Sequence, residues 1–407
     1  MELNITTVTA PKKNIPFIFF LFERDVLHDQ SLFKFLTVDE KKYVEQIKKD
    51  FAPLKEKEVR VLFMPVTRRK VILVGMGKED DFSVWKGGLF TRIAVQTARK
   101  EKLTELAFFV TPFETPEATR EFYEVVATNA VMANFEFVKY KTPPPEGFIF
   151  LKEIQAVAAG SSKAKSSANI ADIKIGFERG IVIGEEVNRC RELSNTPGGD
   201  MTPVHLAARL KLKKNIVALV PAVENMLSGT SYRPGDLLRT MSGKTIEVMN
   251  TDAEGRVILA DALEYAKKYT PSLVVDVATL TGASVVALGM RYSALFTPDK
   301  KLEEQFRAMG EATGDPVWPL PLSKDYEDDI RGTFGDWSNT GKKGVGGGAS
   351  TAATFLWQFA KDAKGVDSYP WIHIDIAPRM TTIEGEYLAK GAAGAPVRLL
   401  VRFLESQ

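Results

Sequence analysis

The segment from Asn250 to Arg256 holds the residues whose types and spacing best suit chemistry. Asp252 and Glu254 are separated by one residue, and Arg256 follows two positions later. Side chains at positions i and i+2 of extended backbone project to the same side. Two carboxylates placed in this way could hold one divalent cation or bridge two. Arg256 does not lose its proton, so its role would be to bind or stabilise an anion.

The elements on either side must position this segment. The apolar run Thr245–Met249 predicts a strand directly before it, and a helix is expected directly after it. The same acidic residues could instead cap the N-terminus of that helix and complement its dipole. On these residues alone, a metal site and a helix cap both remain open.

Apolar patterns elsewhere in the second half predict a sheet covered by helices. Asn215–Pro221 and Ser272–Ala278 are continuous and rich in β-branched residues, which favours central strands of a buried sheet. Trp371–Ile376 alternates and predicts a further strand, in which His373 is more typical of a core histidine with a polar partner than of a metal ligand. Helical spacing is found in Ala260–Lys268, Ser350–Asp362 and Pro396–Leu404.

The first half alternates strands and helices. Three segments predict buried strands: Ile15–Phe22, Lys70–Gly77 and Phe108–Val110. Phe90–Lys100 has helical spacing between the last two. This order is typical of a parallel sheet covered by helices. Residues 75–77 form a Gly-x-Gly pattern, but the third glycine of a dinucleotide-binding turn is lacking. The pattern therefore favours the simple end of a strand.

Length and composition predict two α/β domains. A chain of 407 residues exceeds the size at which a single core stops growing, about 250–300 residues. Proline, glycine and serine accumulate between residues 140 and 167 and mark a connection. We expect an N-terminal α/β domain at 1–150 and a linker at 151–172. A larger mixed α/β domain, with a central sheet flanked by helices, would occupy 173–407.

A long amphipathic helix at Ile170–Leu193 would open the second domain. Gly184 lies on its apolar stripe, where the lack of a side chain would let a neighbouring element approach closely. Cys190 lies on the same face and is expected to be buried. As the only cysteine it excludes an internal disulfide and a cysteine-based metal cage, which indicates a reducing compartment.

The net charge of the chain indicates which classes of binding partner are not favoured. The 54 basic and 52 acidic residues nearly cancel, which does not favour a nucleic-acid or membrane-surface partner. The first residues do not resemble a secretory signal, and we expect a cytoplasmic protein. His28 and His205 have no partners at ligand spacing, and neither is a candidate ligand.

The segment Asn250–Leu263 closely resembles the signature of the leucine aminopeptidase (cytosol aminopeptidase) family. Further blocks similar to that family occur in the family's order, so a chance match is excluded. They are Glu224–Met226, Tyr232–Asp236, Met241–Glu247, Asp276–Ala283, Trp371–Ala377 and Lys390–Gly394. The resemblance covers roughly Ile173 to Leu404.

This resemblance implies a two-metal exopeptidase that removes N-terminal residues, leucine and similar ones, from peptides. Two divalent ions, manganese or zinc, would bind the free α-amino group and activate the attacking water. Asp252 and Glu254 would be metal ligands, and Arg256 would hold a bicarbonate general base. The backbone of Gly255 and Leu280 would help to bind that anion. The pocket for the first substrate side chain would be lined by Thr279, Leu280, Gly282, Ala389 and Ala392. The resemblance also implies a homohexamer.

One block of the family pattern is absent. The chain passes from Pro203–Leu210 directly to Lys211–Ile216, where the family carries two lysines and two aspartates of its active site. Asp252 and Glu254 alone are too few ligands for two hard cations. Excising such a block would expose an apolar sheet face and unpair strand edges, which is costly. We therefore favour its loss from this version of the sequence rather than from the natural protein.

Three functions follow as hypotheses. The first is an aminopeptidase of intracellular peptide turnover. The second is a catalytically inactive family member that acts as a scaffold or binds peptides, because several metal and catalytic residues are missing. The third is the DNA-binding role known for some bacterial family members, but the basic residues of the N-terminal half are only scattered.

Overall fold

The computed structural model describes residues 3–8, 10–23, 36–47, 53–109, 120–157, 170–209 and 216–407. The chain forms two compact units: residues 1–191 with 382–391, and residues 192–381 with 392–407. These units differ from the sequence-based boundaries, since residues 153–157 of the expected linker form a strand of the first unit. His28, Val110 and the junction at 210–215 lie outside the described residues. No described helix is both long and apolar enough to cross a membrane.

The first unit is a sheet with helices packed on it. Its strands are β1 Asn4–Val8, β2 Phe17–Phe22, β3 Val59–Phe63, β4 Lys70–Gly77, β5 Glu105–Phe109 and β6 Glu153–Val157. Its helices are α1 Val38–Ile47, α2 Val84–Lys100, α3 Arg120–Ala133 and α4 Ile170–Asn195. The strand order is β1-β6-β5-β2-β4-β3, in which only β3 is antiparallel to its neighbour. The predicted parallel sheet is therefore confirmed.

Strand β2 shows why the sequence of a strand in this sheet is an unbroken apolar run. All six of its residues are at most 4% exposed. Ile18, Phe20 and Phe22 join one core cluster, and the alternate residues join the cluster on the opposite face. Successive side chains of a strand point to opposite faces, so a strand covered on both sides must be apolar throughout.

Helix α4 packs closely on α3 through glycines spaced four residues apart. A Cβ on Gly180 would lie 2.3 Å from the carbonyl oxygen of Glu124 and 2.7 Å from Cβ of Ala127. A Cβ on Gly184 would lie 2.7 Å from Cβ of Val131, which confirms the expected close approach. Two expectations for this helix were wrong. Cys190 is partly exposed rather than buried, and the helix belongs to the first unit up to residue 191.

The second unit contains two small sheets and six helices among its described residues. Its strands are β7 Leu237–Arg239, β8 Thr245–Glu247, β9 Val274–Ala278, β10 Ser293–Phe296, β11 Val317–Pro319, β12 Trp337–Ser338 and β13 Trp371–Asp375. Its helices are α5 Pro203–Arg209, α6 Glu254–Ala266, α7 Gly282–Leu288, α8 Lys300–Thr313, α9 Gly348–Ala360 and α10 Val397–Glu405. The sheet orders are β11-β10-β13-β9 and β12-β8-β7. Both parallel and antiparallel pairs occur, as expected for a mixed α/β domain.

Two strand predictions in this unit were wrong. The run predicted as a central strand at Asn215–Pro221 has no regular secondary structure from residue 216 onward. Strand β9, predicted as central, is an edge strand that pairs only with β13 among the described residues. Apolar β-branched residues favour a central strand, but the strand forms only if a neighbouring strand bonds its backbone.

The glycine contact between α3 and α4 can be tested by Gly180→Ala. Alanine normally stabilises a helix relative to glycine by up to about 1 kcal/mol. Here we expect a loss of about 1–3 kcal/mol in unfolding free energy, because the new methyl group overlaps the Glu124 carbonyl. Denaturant unfolding followed by circular dichroism measures it. Gly198→Ala is the matched control, since nothing lies within 4 Å of its Cβ position; equal effects of the two changes would contradict the close contact.

Candidate active site

The loop before α6 is held in place by Asn339, a residue that the sequence analysis missed. Asn339 follows β12 and is fully buried. Its Oδ1 accepts the N–H of Met249 at 2.8 Å, and its Nδ2 donates to the carbonyl of Asn250 at 2.7 Å. One amide side chain therefore fixes the backbone of the loop that carries Asp252. Because Asn339 lies about 90 residues further along the chain, the sequence around the loop does not predict this contact.

Asp252 and Glu254 lie at the start of α6. Asp252 is exposed, and its N–H donates to Oδ1 of Asn250 at 3.0 Å. The N-cap position of α6 is Ala253, which provides no side-chain cap. The alternative in which Asp252 caps the helix is therefore not the arrangement observed. Glu254 is the first helical residue, where its charge complements the helix dipole.

Arg256 is a buried cation with an unused donor. It is 9% exposed, and its Nη1 donates to the carbonyl oxygen of Asn339 at 2.9 Å. Its Nε is buried and has no hydrogen-bond partner in the part of the chain that the structure describes. Burial lowers the pKa of Arg256 to about 10, although Asp375 and Glu254 oppose that shift. The side chain therefore stays charged at neutral pH, and one of its buried N–H groups is not satisfied by the described residues.

The turn between β9 and α7 is organised by Asp375, which the sequence analysis also missed. Asp375 ends β13 and is 1% exposed. Its carboxylate accepts the N–H of Leu280 at 3.0 Å, and the N–H and hydroxyl of Thr281 at 3.1 and 2.6 Å. The N–H of Leu280 is thus already donated, so a bicarbonate ion would have to share it. Thr279 and Gly282 lie exposed on either side of this turn.

The structure brings part of the expected anion site together. A Cβ on Gly255 would lie 3.6 Å from Cδ1 of Leu280, so the start of α6 and the β9–α7 turn are in contact. Arg256 extends from the same helical turn as Gly255. The N–H groups of a first helical turn lack intrahelical acceptors, so the N–H of Gly255 is not used within α6.

The two expected pocket alanines lie in different compact units. Ala389 belongs to the first unit, where its carbonyl accepts Nη2 of Arg191 at 3.2 Å. Ala392 belongs to the second unit, where its N–H donates to Oδ1 of Asn195 at 2.9 Å. Their shared role in one substrate pocket stays a prediction.

Beside the site lies a buried histidine–aspartate pair. Nδ1 of His373 is 2.5 Å from Oδ1 of Asp276, whose Oδ2 accepts Nε1 of Trp371 at 2.7 Å. The imidazole stacks on Phe296, with ring centroids 5.7 Å apart. His373 is 1% exposed, which confirms the expected core histidine with a polar partner.

Two family models match the chain. The N-terminal domain of the cytosol aminopeptidase family matches residues 18–144, and the catalytic domain of the same family matches residues 200–401. The chain belongs to the cytosol aminopeptidase family. A probable cytosol aminopeptidase of Histophilus somni is 48% identical over 204 residues, which cover 50% of this chain and 39% of that protein. One of Methylibium petroleiphilum is 39% identical over 279 residues, 68% of this chain and 54% of its own length. The matched part thus spans about half, or less, of these relatives.

Solved structures share the fold of this family member. A mutant tomato leucine aminopeptidase is similar with a TM-score of 0.79 and 23% identity, covering 100% of this chain and 97% of its own. The bottromycin maturation enzyme BotP in complex with Mn has a TM-score of 0.76 and 22% identity, covering 97% and 99%. At these identities the likeness concerns the fold alone.

The described residues do not fit a two-metal centre. In the described part of the chain, no group of three or more histidine, cysteine, aspartate or glutamate side chains could hold a metal ion. Asp252 and Glu254 remain the candidate ligands, and two carboxylates cannot complete the coordination of two divalent ions. The described residues provide two carboxylates, a buried arginine and the turn that Asp375 organises.

The His373–Asp276 pair predicts a pH-dependent stability. Burial lowers the pKa of His373, but Asp276 and Asp375 raise it more, so its net pKa lies above the ordinary 6.5, although Arg256 opposes this. A raised folded-state pKa stabilises the fold below about pH 6.5, and this contribution is lost as the pH rises through the raised pKa. We expect the unfolding free energy to fall over that range, and His373→Gln to remove this dependence.

Denaturant unfolding at a series of pH values measures the effect. His205→Gln is the control, because His205 is exposed and hydrogen-bonds only Thr202 among the described residues. A slope that persists unchanged in His373→Gln would contradict the assignment.

Proposed function

We propose that this protein is a metal-dependent aminopeptidase that releases N-terminal residues, leucine and similar ones, from peptides in the cytoplasm. The observation that carries the proposal is the contact between the start of α6, with Glu254 and Arg256, and the β9–α7 turn. The acidic residues at the start of α6, the buried Arg256 and the exposed β9–α7 turn together suit the binding of the N-terminal residue of a peptide. Membership of the cytosol aminopeptidase family supports the same reaction.

Arg256 would hold an anion, a bicarbonate ion by family resemblance, that acts as general base. Its unpartnered Nε provides one donor, and the N–H of Gly255 in the first turn of α6 provides another. Because Arg256 is buried and stays charged, the attraction to an anion is stronger than at an exposed arginine. Asp375 keeps the Leu280 backbone in place on the other side.

The first substrate side chain would lie against the β9–α7 turn. Thr279 and Gly282 are exposed there, and Ala392 of the same unit would leave room for a leucine-sized group with its small side chain. Peptides are thus the proposed partners, together with further copies of the chain in a homohexamer. A nucleic-acid partner is not part of the proposal.

Two manganese or zinc ions would be the cofactors, but the described residues provide only Asp252 and Glu254 for them. The family block expected after Leu210 would carry the other ligands and a catalytic lysine. We propose that the active form of the protein contains this block. The 407-residue chain would then hold the anion-binding part of the site without a complete metal centre.

A second function is favoured by this same shortage of ligands. A family member with two carboxylates in place of a full metal centre could bind peptides, or act as a scaffold, without hydrolysing them. The two proposals differ in metal stoichiometry and in turnover.

Metal titration and turnover separate them. We expect calorimetry to show fewer than two Mn²⁺ ions bound per subunit of the 407-residue chain. Glu254→Gln should lower the affinity for Mn²⁺. Its hydrolysis of leucyl anilides with added Mn²⁺ or Zn²⁺ should be absent, and inserting a relative's block between residues 210 and 211 should restore it. No release by the restored chain would contradict the aminopeptidase. Two ions per subunit in the 407-residue chain would contradict the non-catalytic alternative.

The anion site can be tested without turnover. Saturating bicarbonate should raise the melting temperature of the wild type by about 2–4 °C, as expected for about 1 kcal/mol of binding. Arg256→Gln should abolish this shift, because it removes the buried cation. Arg239→Gln is the control, since Arg239 is exposed and bonds only a nearby carbonyl among the described residues. An equal shift in wild type and Arg256→Gln would exclude Arg256 as the anion ligand.

A further inference from the structure

The carboxylate of Glu247, the last residue of β8, is held by backbone donors of a distant turn. Glu247 is 7% exposed, and its Oε2 accepts the N–H of Thr333 at 2.6 Å and the N–H of Phe334 at 3.1 Å. The bond from Phe334 is the largest cause that holds the pKa of Glu247 below its ordinary value, although burial opposes the shift. A buried carboxylate is costly without such donors, so this contact fixes the turn on β8.

The turn Gly332–Gly335 is closed tightly around the carboxylate. A Cβ on Gly332 would lie 2.3 Å from the carbonyl oxygen of Gly335 and 3.1 Å from Oε2 of Glu247. A Cβ on Gly335 would lie 3.2 Å from the backbone nitrogen of Glu247. Phe334 in this turn is 82% exposed. The carboxylate, rather than packing of the largest side chain, therefore holds the turn in place.

The turn leads through β12 to Asn339, which contacts the candidate site. Ser338 of β12 pairs with Glu247, and the N–H of Asn339 donates to the carbonyl of Glu247 at 3.0 Å. Asn339 in turn fixes the backbone of the Asp252 loop, and its carbonyl accepts Nη1 of Arg256 at 2.9 Å. A continuous series of contacts therefore connects the Glu247 carboxylate to both parts of the site.

We propose that Glu247 is a positioning residue for the candidate site and acts through Asn339. Its carboxylate fixes the Gly332–Gly335 turn, and the turn fixes the start of β12. At the other end of β12, Asn339 sets the Asp252 loop and orients Arg256. The proposal rests on the proposed function, because that function makes Asp252 and Arg256 site residues.

These contacts do not involve the junction after Leu210. Each of them joins residues 247–256 to residues 332–339, and both ranges are described throughout. The Glu247 carboxylate has its donors within the second unit, so no added block or second copy is needed to complete the contact.

Hydrogen exchange at Met249 and Asn250 tests the positioning directly. Their N–H groups bond Oδ1 of Asn339 at 2.8 and 3.3 Å, and Met249 is 55% exposed, so this bond rather than burial protects them. In Glu247→Ala both amides should exchange about tenfold or more faster, because the loop opens locally. Mass spectrometry of the peptide that contains both residues measures this. Unchanged exchange would overturn the proposal.

A second variant reaches the same contact from the other side. Gly332→Ala keeps the carboxylate but pushes the turn away from it, because the new methyl group overlaps the Gly335 carbonyl. The same amides should exchange faster, and this variant gives the test if Glu247→Ala does not fold. A folded Gly332→Ala protein with the exchange of the wild type would contradict the role of the turn.

Asp299→Ala is the matched control for a loss of stability alone. Oδ1 of Asp299 also accepts two backbone N–H groups, those of Lys301 and Leu302 at 2.8 and 3.3 Å, but at the start of α8. This change should leave the exchange at Met249 unchanged. Equal acceleration in the control would show that only overall stability had changed, which would overturn the proposal.

Bicarbonate binding separates this proposal from the proposed function. Melting temperatures at a series of bicarbonate concentrations give the affinity, which should be about tenfold weaker in Glu247→Ala, as when a residue that orients a ligand-binding side chain is removed. Glu247→Gln keeps an oxygen that can accept both N–H groups, so its affinity should stay near that of the wild type.

The two failures give different results. A wild type that does not respond to bicarbonate would contradict the anion site of the proposed function, while the exchange measurement still decides the positioning of the loop. A wild type that responds, with the same affinity in Glu247→Ala, would show that Glu247 does not position Arg256 and would overturn the proposal.

Discussion

The second unit depends on compensating the charges that lie buried around the end of β13. Asp375 is almost fully buried, and a carboxylate in that position is costly unless donors surround it. The N–H groups of Leu280, Thr281 and Ala377 and the hydroxyl of Thr281 provide them. Since the donors from Leu280 and Thr281 belong to the turn after β9, satisfying one charge also fixes the turn that faces the candidate site.

The same electrostatic requirement connects this turn to α6. Arg256 is buried with Asp375 and Glu254 as the acidic groups that favour its charge. One of its nitrogens bonds the Asn339 carbonyl, while Nε lacks a hydrogen-bond partner among the described residues. The fold therefore compensates the charge of this buried cation without using all of its donors, which is the feature on which the proposed anion site rests.

Two features of the second unit are irregular among the described residues. Asp252 and Glu254 have no further carboxylates nearby that could complete a metal site, and β9 has no neighbouring strand on one side. The loss of the family block that the resemblance implies after Leu210 would account for both. The first unit, which the junction does not interrupt, has a complete six-stranded sheet with both faces covered.

The sequence by itself determined the features that depend on local pattern. The sequence predicted the apolar run of β2, the place of Gly184 on the apolar stripe of α4, the alternation of β13 and the Asp252–Arg256 segment, because side-chain period and type decide them locally. Tertiary structure alone decided what depends on distant partners. Asn339 and Asp375 acquired their roles through contacts with residues about 90 positions away, and Ile216–Val220 stayed outside a sheet because a strand requires a neighbour that its own sequence cannot provide.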